Sequence, residues 1–353
     1  MQSRISENLK PENRILFDWV TFTSRIHSVH DIIELLGFTD CHFVECAGIN
    51  GYRDGLAFDG VKICWNNWSC DDSICVSMSG KGCRSFEEFG NGDYYSLFSL
   101  ILSEYDDNPE HRSMNLTRLD VAYDDFNGLI SFDSCISDLY AHNWVSRFHR
   151  GKIEHEIGND SSGLAVDLFG KSIYFGSKSS DVRIRIYDKR AEQVRVDIDY
   201  WYRCELQLRR SNALGFASEF CSEGSDIGRL YYGVINNYLR FVVPTGDDTN
   251  KRRWNIAEHW LKFLSSLDVI HIFVKIGQSY DISKLDNYVL NTAANAIYTL
   301  INVIGVDHFI QRLRGHYISC DLNPKYKIIS DSFPEHENGI LSYMSLHNLS
   351  AVL

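Results

Sequence analysis

The segment RIRIYDK, residues 183–189, constrains the chain more than any other. A β-strand turns successive side chains to opposite faces. Arg183, Arg185, Tyr187 and Lys189 therefore share one face and Ile184 and Ile186 the other. Two further segments repeat the pattern. In TRLDVAYDD, Arg118, Asp120 and Asp124 oppose Leu119, Val121 and Tyr123; in RCELQLRR, Arg203, Glu205, Gln207 and Arg209 oppose Cys204, Leu206 and Leu208. Strands with one apolar and one charged face predict an antiparallel sheet with helices behind it and an open polar platform in front.

The first 220 residues read as one pattern used twice, strand–helix–strand–strand–strand–helix. In the first copy a strand at 15–23 precedes a helix that Ser28 caps and Gly37 ends. Strands follow near GYRDGLAFDG, VKICWN and SICVSMSG, then helices at CRSFEEF and DYYSLFSLILSE. The second copy opens at 117–125, and its helix carries Ile136, Leu139 and Tyr140 at helical spacing. Strands at SIYFGSK, VRIRIYDK and YRCELQLR and the helix SNALGFASEFC complete it. Aligning VKICWN with VRIRIYDK leaves the reactive strand in the second copy alone. The expected fold is thus α+β: tandem-duplicated units form a curved antiparallel sheet with helices on one face, followed by a helical C-terminal region. The expected organisation is a tail (1–14), a DNA-holding first repeat (15–110), a catalytic second repeat (115–222), helices (223–320, the last ended by Gly315) and a second tail (321–353).

Composition narrows the class. Net charge is −12, yet residues 178–210 hold nine Lys/Arg against six Asp/Glu, a basic face on an acidic body. The ten cysteines lack CxxC or zinc-ligand spacing and read as reduced thiols. No apolar run approaches the roughly 18 residues that span a bilayer, and the N-terminus lacks a signal-like stretch. The expectation is a cytoplasmic protein without a membrane partner.

The platform's inventory suits chemistry on a phosphodiester. A tyrosine can attack phosphorus and retain the phosphate as an ester, but a pKa of about 10 makes it a weak nucleophile unless charge or metal assists. Arg185 and Lys189, roughly 7 Å away along the strand, suit the phosphate oxygens. Arg118, Arg183, Arg203 and Arg209 are the expected DNA contacts. Asp120 and Glu205, with Asp124 or Asp125 as a third, offer only oxygen ligands, which favours Mg²⁺ or Mn²⁺ over zinc. Each residue also has a plainer reading, since Asp120 and Glu205 could simply pair with Arg118 or Arg203. Trp65 and Trp68 are candidates for stacking on bases, and Lys251, Arg252 and Arg253 for phosphate contact, against ordinary packing and a solvated loop.

At RLDVAYDDFNG (118–128), IYFGSKSSDVRIRIYDKRAEQ (173–193) and WYRCELQLRR (201–210), the chain resembles the replication initiation factor family of rolling-circle plasmids and filamentous phages. FDWVTFT and GINGY…GVKICW…VSMSGKGCR fit the phage branch, closest in look to vibrio-type replication proteins, and the resemblance spans about residues 15–265. It implies a site-specific strand-nicking initiator of origin DNA, single-stranded or cruciform, which later rejoins the strand. Tyr187 would become joined to the 5′ phosphate and the freed 3′-OH would prime synthesis. Asp120 and Glu205 match the acidic positions associated with the metal, and Arg185, Lys189 and Arg209 the basic ones. A host replicative helicase and DNA polymerase would be partners, with a homodimer left open. A conjugative relaxase with the same chemistry and a non-catalytic DNA-binding regulator are the alternatives.

Overall fold

The computed structural model describes residues 11–66, 73–159, 165–195, 197–222, 226–246, 248–266, 289 and 294–319. Strand β1 is Arg14–Ser24, and helix α1, Val29–Leu35, starts at a reciprocal capping box between Ser28 and Asp31. Strands β2 (Val44–Ala47), β3 (Asp54–Phe58), β4 (Val61–Trp65) and β5 (Ile74–Met78) follow. Helices α2 (Gly80–Phe89) and α3 (Tyr94–Ser103) complete the first half; Ser79 and Asp93 cap them.

The second half repeats this course with β6 (Met114–Asp125), α4 (Phe132–Tyr140), β7 (Trp144–Ser146), β8 (Gly151–Asn159) and β9 (Ala165–Phe175). Strand β10 (Val182–Asp188), the single turn α5 (Lys189–Glu192), β11 (Tyr202–Arg209) and α6 (Ser211–Phe220) follow. Beyond it lie α7 (Ile227–Tyr238), β12 (Leu239–Val243), β13 (Asn255–Ile256), α8 (Glu258–Ser266) and two helices at Ala294–Ile304 and Val306–Ser319.

Ten strands form one antiparallel sheet in the order β2-β3-β4-β5-β1-β6-β11-β10-β9-β8. Read outward from the central pair β1 and β6, the two sides mirror each other, and β4 and β10 occupy equivalent places. This is the duplicated α+β architecture expected from the sequence. The alternation missed β2 and β8, the two outermost strands. Val44 and Glu45 are exposed on β2, and Lys152, Glu154 and His155 give β8 a charged edge, so neither carries a clean apolar face.

The apolar face is the core. Phe17 packs edge-on against Phe98 and Phe220, which ties α3 and α6 to the sheet. Tyr231 of α7 is fully buried, and its hydroxyl donates to the Cys204 carbonyl at 2.7 Å. Full burial of such aromatic side chains contributes about 1.5–3 kcal/mol each. A small sheet, β13-β12-β7, closes over the same side through Trp144 and Phe241 against Phe175. Helix α4 is oriented otherwise than its spacing predicts. Phe132 and Cys135 are buried, Ile136 and Leu139 half-buried against the core and Tyr140 exposed. The last helix continues past Gly315 to Ser319. Trp68, residues 1–10 of the first expected tail and the second tail (321–353) lie outside the described residues, whereas Arg14 already belongs to β1. Every described cysteine is a free thiol, and among the described residues no helix is long and apolar enough to cross a membrane.

Candidate active site

The polar face builds the site in transverse rows fixed by strand register. One row runs Tyr187–Arg203–Asp124–Arg14 across β10, β11, β6 and β1. The next runs Arg185–Glu205–Ala122–Leu16, and a third Arg183–Gln207–Asp120–Trp19. A fourth pairs Arg209 with Arg118 and Arg118 with Thr21. Side chains directly opposite each other point the same way. Tyr187, Arg185, Arg183, Glu205, Arg203 and Asp120 therefore line one cleft, of about 890 Å³.

Tyr187 lies at the floor of this cleft with 2% of its surface exposed. The Arg185 guanidinium covers the ring, 3.6 Å from its centre, and the Lys189 ammonium lies 5.5 Å from it. Burial raises the phenol's pKa well above its ordinary value. Arg203 opposes the rise, while Glu205, Glu192 and Asp18 add to it. In the free protein the hydroxyl is therefore held protonated, although Arg185 and Lys189 stand beside it. Lys189 also departs from its expected strand position. The strand stops at Asp188, whose carboxylate caps α5 through the Ala191 N–H at 2.8 Å, and Lys189 opens that turn, paired with Glu192.

The acids divide into two kinds. Asp124 is fully buried; Arg203 donates to it at 2.6 and 2.9 Å, Arg14 at 3.0 Å and the Trp201 indole at 2.9 Å. Burial works to raise its pKa, but these donors outweigh burial and bring it down to about 2. Fully buried under four hydrogen bonds from three residues, with its pKa lowered, Asp124 is a structural anion, which corrects its expected role as a metal ligand. Asp125 accepts from the Asn127 and Ile130 amides and organises the following turn.

Asp120 takes a bidentate pair from Arg118, at 3.0 and 2.6 Å. Glu205 is half-buried and makes no hydrogen bond or ion pair among the described residues. Burial, then the charges of Asp120 and Asp18, push its carboxyl up to about 7, against the pull of Arg185 and Arg203. Burial, with Asp18 assisting, likewise raises Asp120 against Arg118. This crowding of oxygen donors fits a hard cation. Among the described residues no three His, Cys, Asp or Glu side chains converge as a complete ligand set.

Asp18 is the site residue that alternation missed. The pairing of β1 with β6 slips between Phe17 and Trp19, so Asp18 and Trp19 both reach the polar side while Phe17 and Val20 both enter the core. The signal is legible in ILFDWVTF as a one-residue shift in the apolar alternation. Asp18 accepts from Arg203 at 2.7 Å. A Cβ on Gly80 would stand 2.7 Å from an Asp18 carboxylate oxygen, so a larger residue there would displace that side chain.

The expected DNA contacts separate in the same way. Arg203 is 4% exposed and tied to Asp124 and Asp18, which corrects it from a surface contact to a buried cation beside Tyr187. Arg118 lies over the Trp19 ring at 4.0 Å and Arg183 over Tyr174 at 4.4 Å. Arg209 donates to the Lys178 carbonyl; burial, then Arg118, Arg183 and Arg210, lower its pKa, the mark of a cation cluster without enough anions. Trp65 packs half-buried against the core. Arg253 pairs with Asp248, and Lys251 donates to the His142 carbonyl.

Residues 114–313 match the family model described as replication initiation factor. Residues 14–102 match that of the N-terminal domain of rolling-circle replication initiation proteins. The putative DNA relaxase NicK of Bacillus subtilis (strain 168) is 25% identical over 332 residues, covering 90% of this chain and 89% of that protein. Among solved structures, a rolling-circle replication initiator protein from Geobacillus stearothermophilus is similar with a TM-score of 0.66 at 30% identity, over 75% of this chain and 100% of that one.

Proposed function

The chain belongs to the replication initiation factor family, and on that premise we propose that it nicks one strand of origin DNA through Tyr187 and initiates rolling-circle replication from the 3′-OH it frees. The observation that carries this reading is the row geometry: one buried phenol, capped by Arg185 and flanked by Arg203, opens into the same cleft as Glu205 and Asp120. In the proposed step the Tyr187 hydroxyl gives its proton to water, its oxygen bonds to phosphorus and the P–O bond to the 3′ oxygen breaks; that oxygen takes a proton from water to become the 3′-OH, leaving a 5′-phosphotyrosine. The reverse step rejoins the strand, and neither direction needs ATP. Arg185 and Lys189 hold the non-bridging oxygens, and Arg203 favours the phenolate as it forms. Arg118, Arg183 and Arg209 hold the flanking backbone.

Glu205 and Asp120, with Asp18 beside them, are the residues that would hold Mg²⁺ or Mn²⁺. Such an ion would offset the repulsion among these acids and stabilise charge on the phosphate and leaving oxygen. Magnesium characteristically takes one or two carboxylates plus substrate phosphate, which suits a site with no complete ligand set among the described residues. A host replicative helicase and polymerase would then extend the freed end.

A conjugative relaxase would use the same chemistry, and the name of the Bacillus relative supports that second reading. A regulator without catalysis is the reading from another class. Tyr187→Phe separates it: the variant should bind a supercoiled plasmid carrying the origin and fail to relax it. Unchanged relaxation would remove Tyr187 from the mechanism.

A further inference from the structure

A second cavity, of about 800 Å³, adjoins the catalytic cleft and shares Arg14 and Trp201 with it. The wall between them is the Asp124 network, to which Arg14, Trp201 and Arg203 all donate. The row Tyr187–Arg203–Asp124–Arg14 places Asp124 two strand spacings from the tyrosine, about 10 Å, and Arg14 three, about 14 Å.

The cavity is apolar below and polar at its rim. Phe126 and Trp201 stack at 5.3 Å and 30°, and the Arg14 guanidinium lies 5.6 Å from the Phe126 ring. Tyr200 forms a further wall, its hydroxyl donating to the Ile130 carbonyl. Gly128, at φ +76°, leaves that ring uncovered; a Cβ there would meet it at 3.9 Å. Asn127, Arg195 and Asp199 stand exposed around the opening; Arg195 is paired with Asp197 at 2.6 and 2.5 Å, so the rim presents an amide, a carboxylate and an ion pair that a base edge would have to engage. Stacked aromatics beside a guanidinium, ringed by donors and acceptors, are the chemistry that receives an unstacked nucleobase and reads its edge.

We propose that this cavity takes one unstacked base of the strand that Tyr187 cuts, about two to four nucleotides from the scissile phosphate, and that Asn127, Arg195 and Asp199 set the preference for it. This inference rests on the nicking reading above. Substrate choice is thereby exercised by Asn127, just after β6, and by Arg195 and Asp199, between α5 and β11.

The test uses the full chain and a library of random single-stranded oligonucleotides with Mg²⁺. Covalent adducts are isolated under denaturing conditions, and both the held 3′ fragments and the released 5′ fragments are sequenced. For Asn127→Ala, Arg195→Ala and Asp199→Ala, base preference should fall by about tenfold at a single position within four nucleotides of the junction. Adduct yield should stay within about threefold of the parent. Preferences retained at every position in all three variants would overturn the proposal, as would an even loss across all positions. If the parent chain itself forms no adduct, the nicking reading fails and the base pocket falls with it.

Discussion

The guanidinium of Arg185 lies over the Tyr187 ring, 3.6 Å from its centre, and the two residues alternate with Ile186 on one strand. A cation–π contact of this kind contributes about 0.5–2 kcal/mol. A lysine ammonium cannot reproduce it with the same geometry. Arg185→Lys should therefore lower kcat for nicking by roughly tenfold to a hundredfold, with a change in DNA affinity of less than about threefold. Equal losses in both would make Arg185 a DNA-binding residue instead; initial rates and equilibrium binding on one oligonucleotide decide between them.

Glu205 gives a pH signature. Its folded-state pKa, about 7, lies above the ordinary carboxylate value. The folded state thus binds the extra proton, and stability declines as pH rises from about 4.5 through about 7. With EDTA present, Glu205→Gln should raise Tm at pH 8 by roughly 2–4 °C and leave it near the parent value at pH 4.5. The same variant should lose at least about a hundredfold in nicking. Equal Tm differences at both pH values would show that Glu205 is not held among unbalanced acids.

Asp124 titrates in the opposite sense. Its pKa is lowered to about 2, so its contribution is complete above the unfolded value near 3.9 and disappears as pH falls through about 2. Removing it leaves Arg203 without its main partner. Asp124→Asn should cost about 3–5 kcal/mol at pH 7 in denaturant unfolding, and the gap to the parent chain should shrink below about pH 4. A gap independent of pH would trace the loss to packing.

The crowding of Glu205, Asp120 and Asp18 predicts that nicking depends on a divalent ion. EDTA should stop nicking, and Mg²⁺ or Mn²⁺ should restore it. In the parent chain, added Mg²⁺ should also raise Tm at pH 8, and Glu205→Gln should blunt that rise. Nicking that persists in EDTA would refute the role given to Glu205 and Asp120.

Much of this arrangement was legible in the sequence because β6, β10 and β11 keep strict alternation. Arg183, Arg185 and Tyr187 could be placed on one face before any coordinates, and so could Asp120 and Glu205. What alternation does not encode is pairing across the face. Asp124 and Arg203 share that face with Glu205, yet they satisfy each other and leave Glu205 alone. Only the register, Arg203 opposite both Tyr187 and Asp124, decides which acid is spent on structure. Asp18 escaped because a bulge shifts the period, and Lys189 moved because Asp188 caps a turn where a longer strand was expected.

The account stands most directly on the identity of the nucleophile. A single-stranded oligonucleotide carrying the nick site is incubated with the protein and a divalent ion, the adduct is digested with trypsin, and its peptides are read by tandem mass spectrometry. The nucleotide mass should sit on Tyr187, in the peptide between Arg185 and Lys189. Cleavage with the mass on another residue, or with no adduct formed, would contradict it.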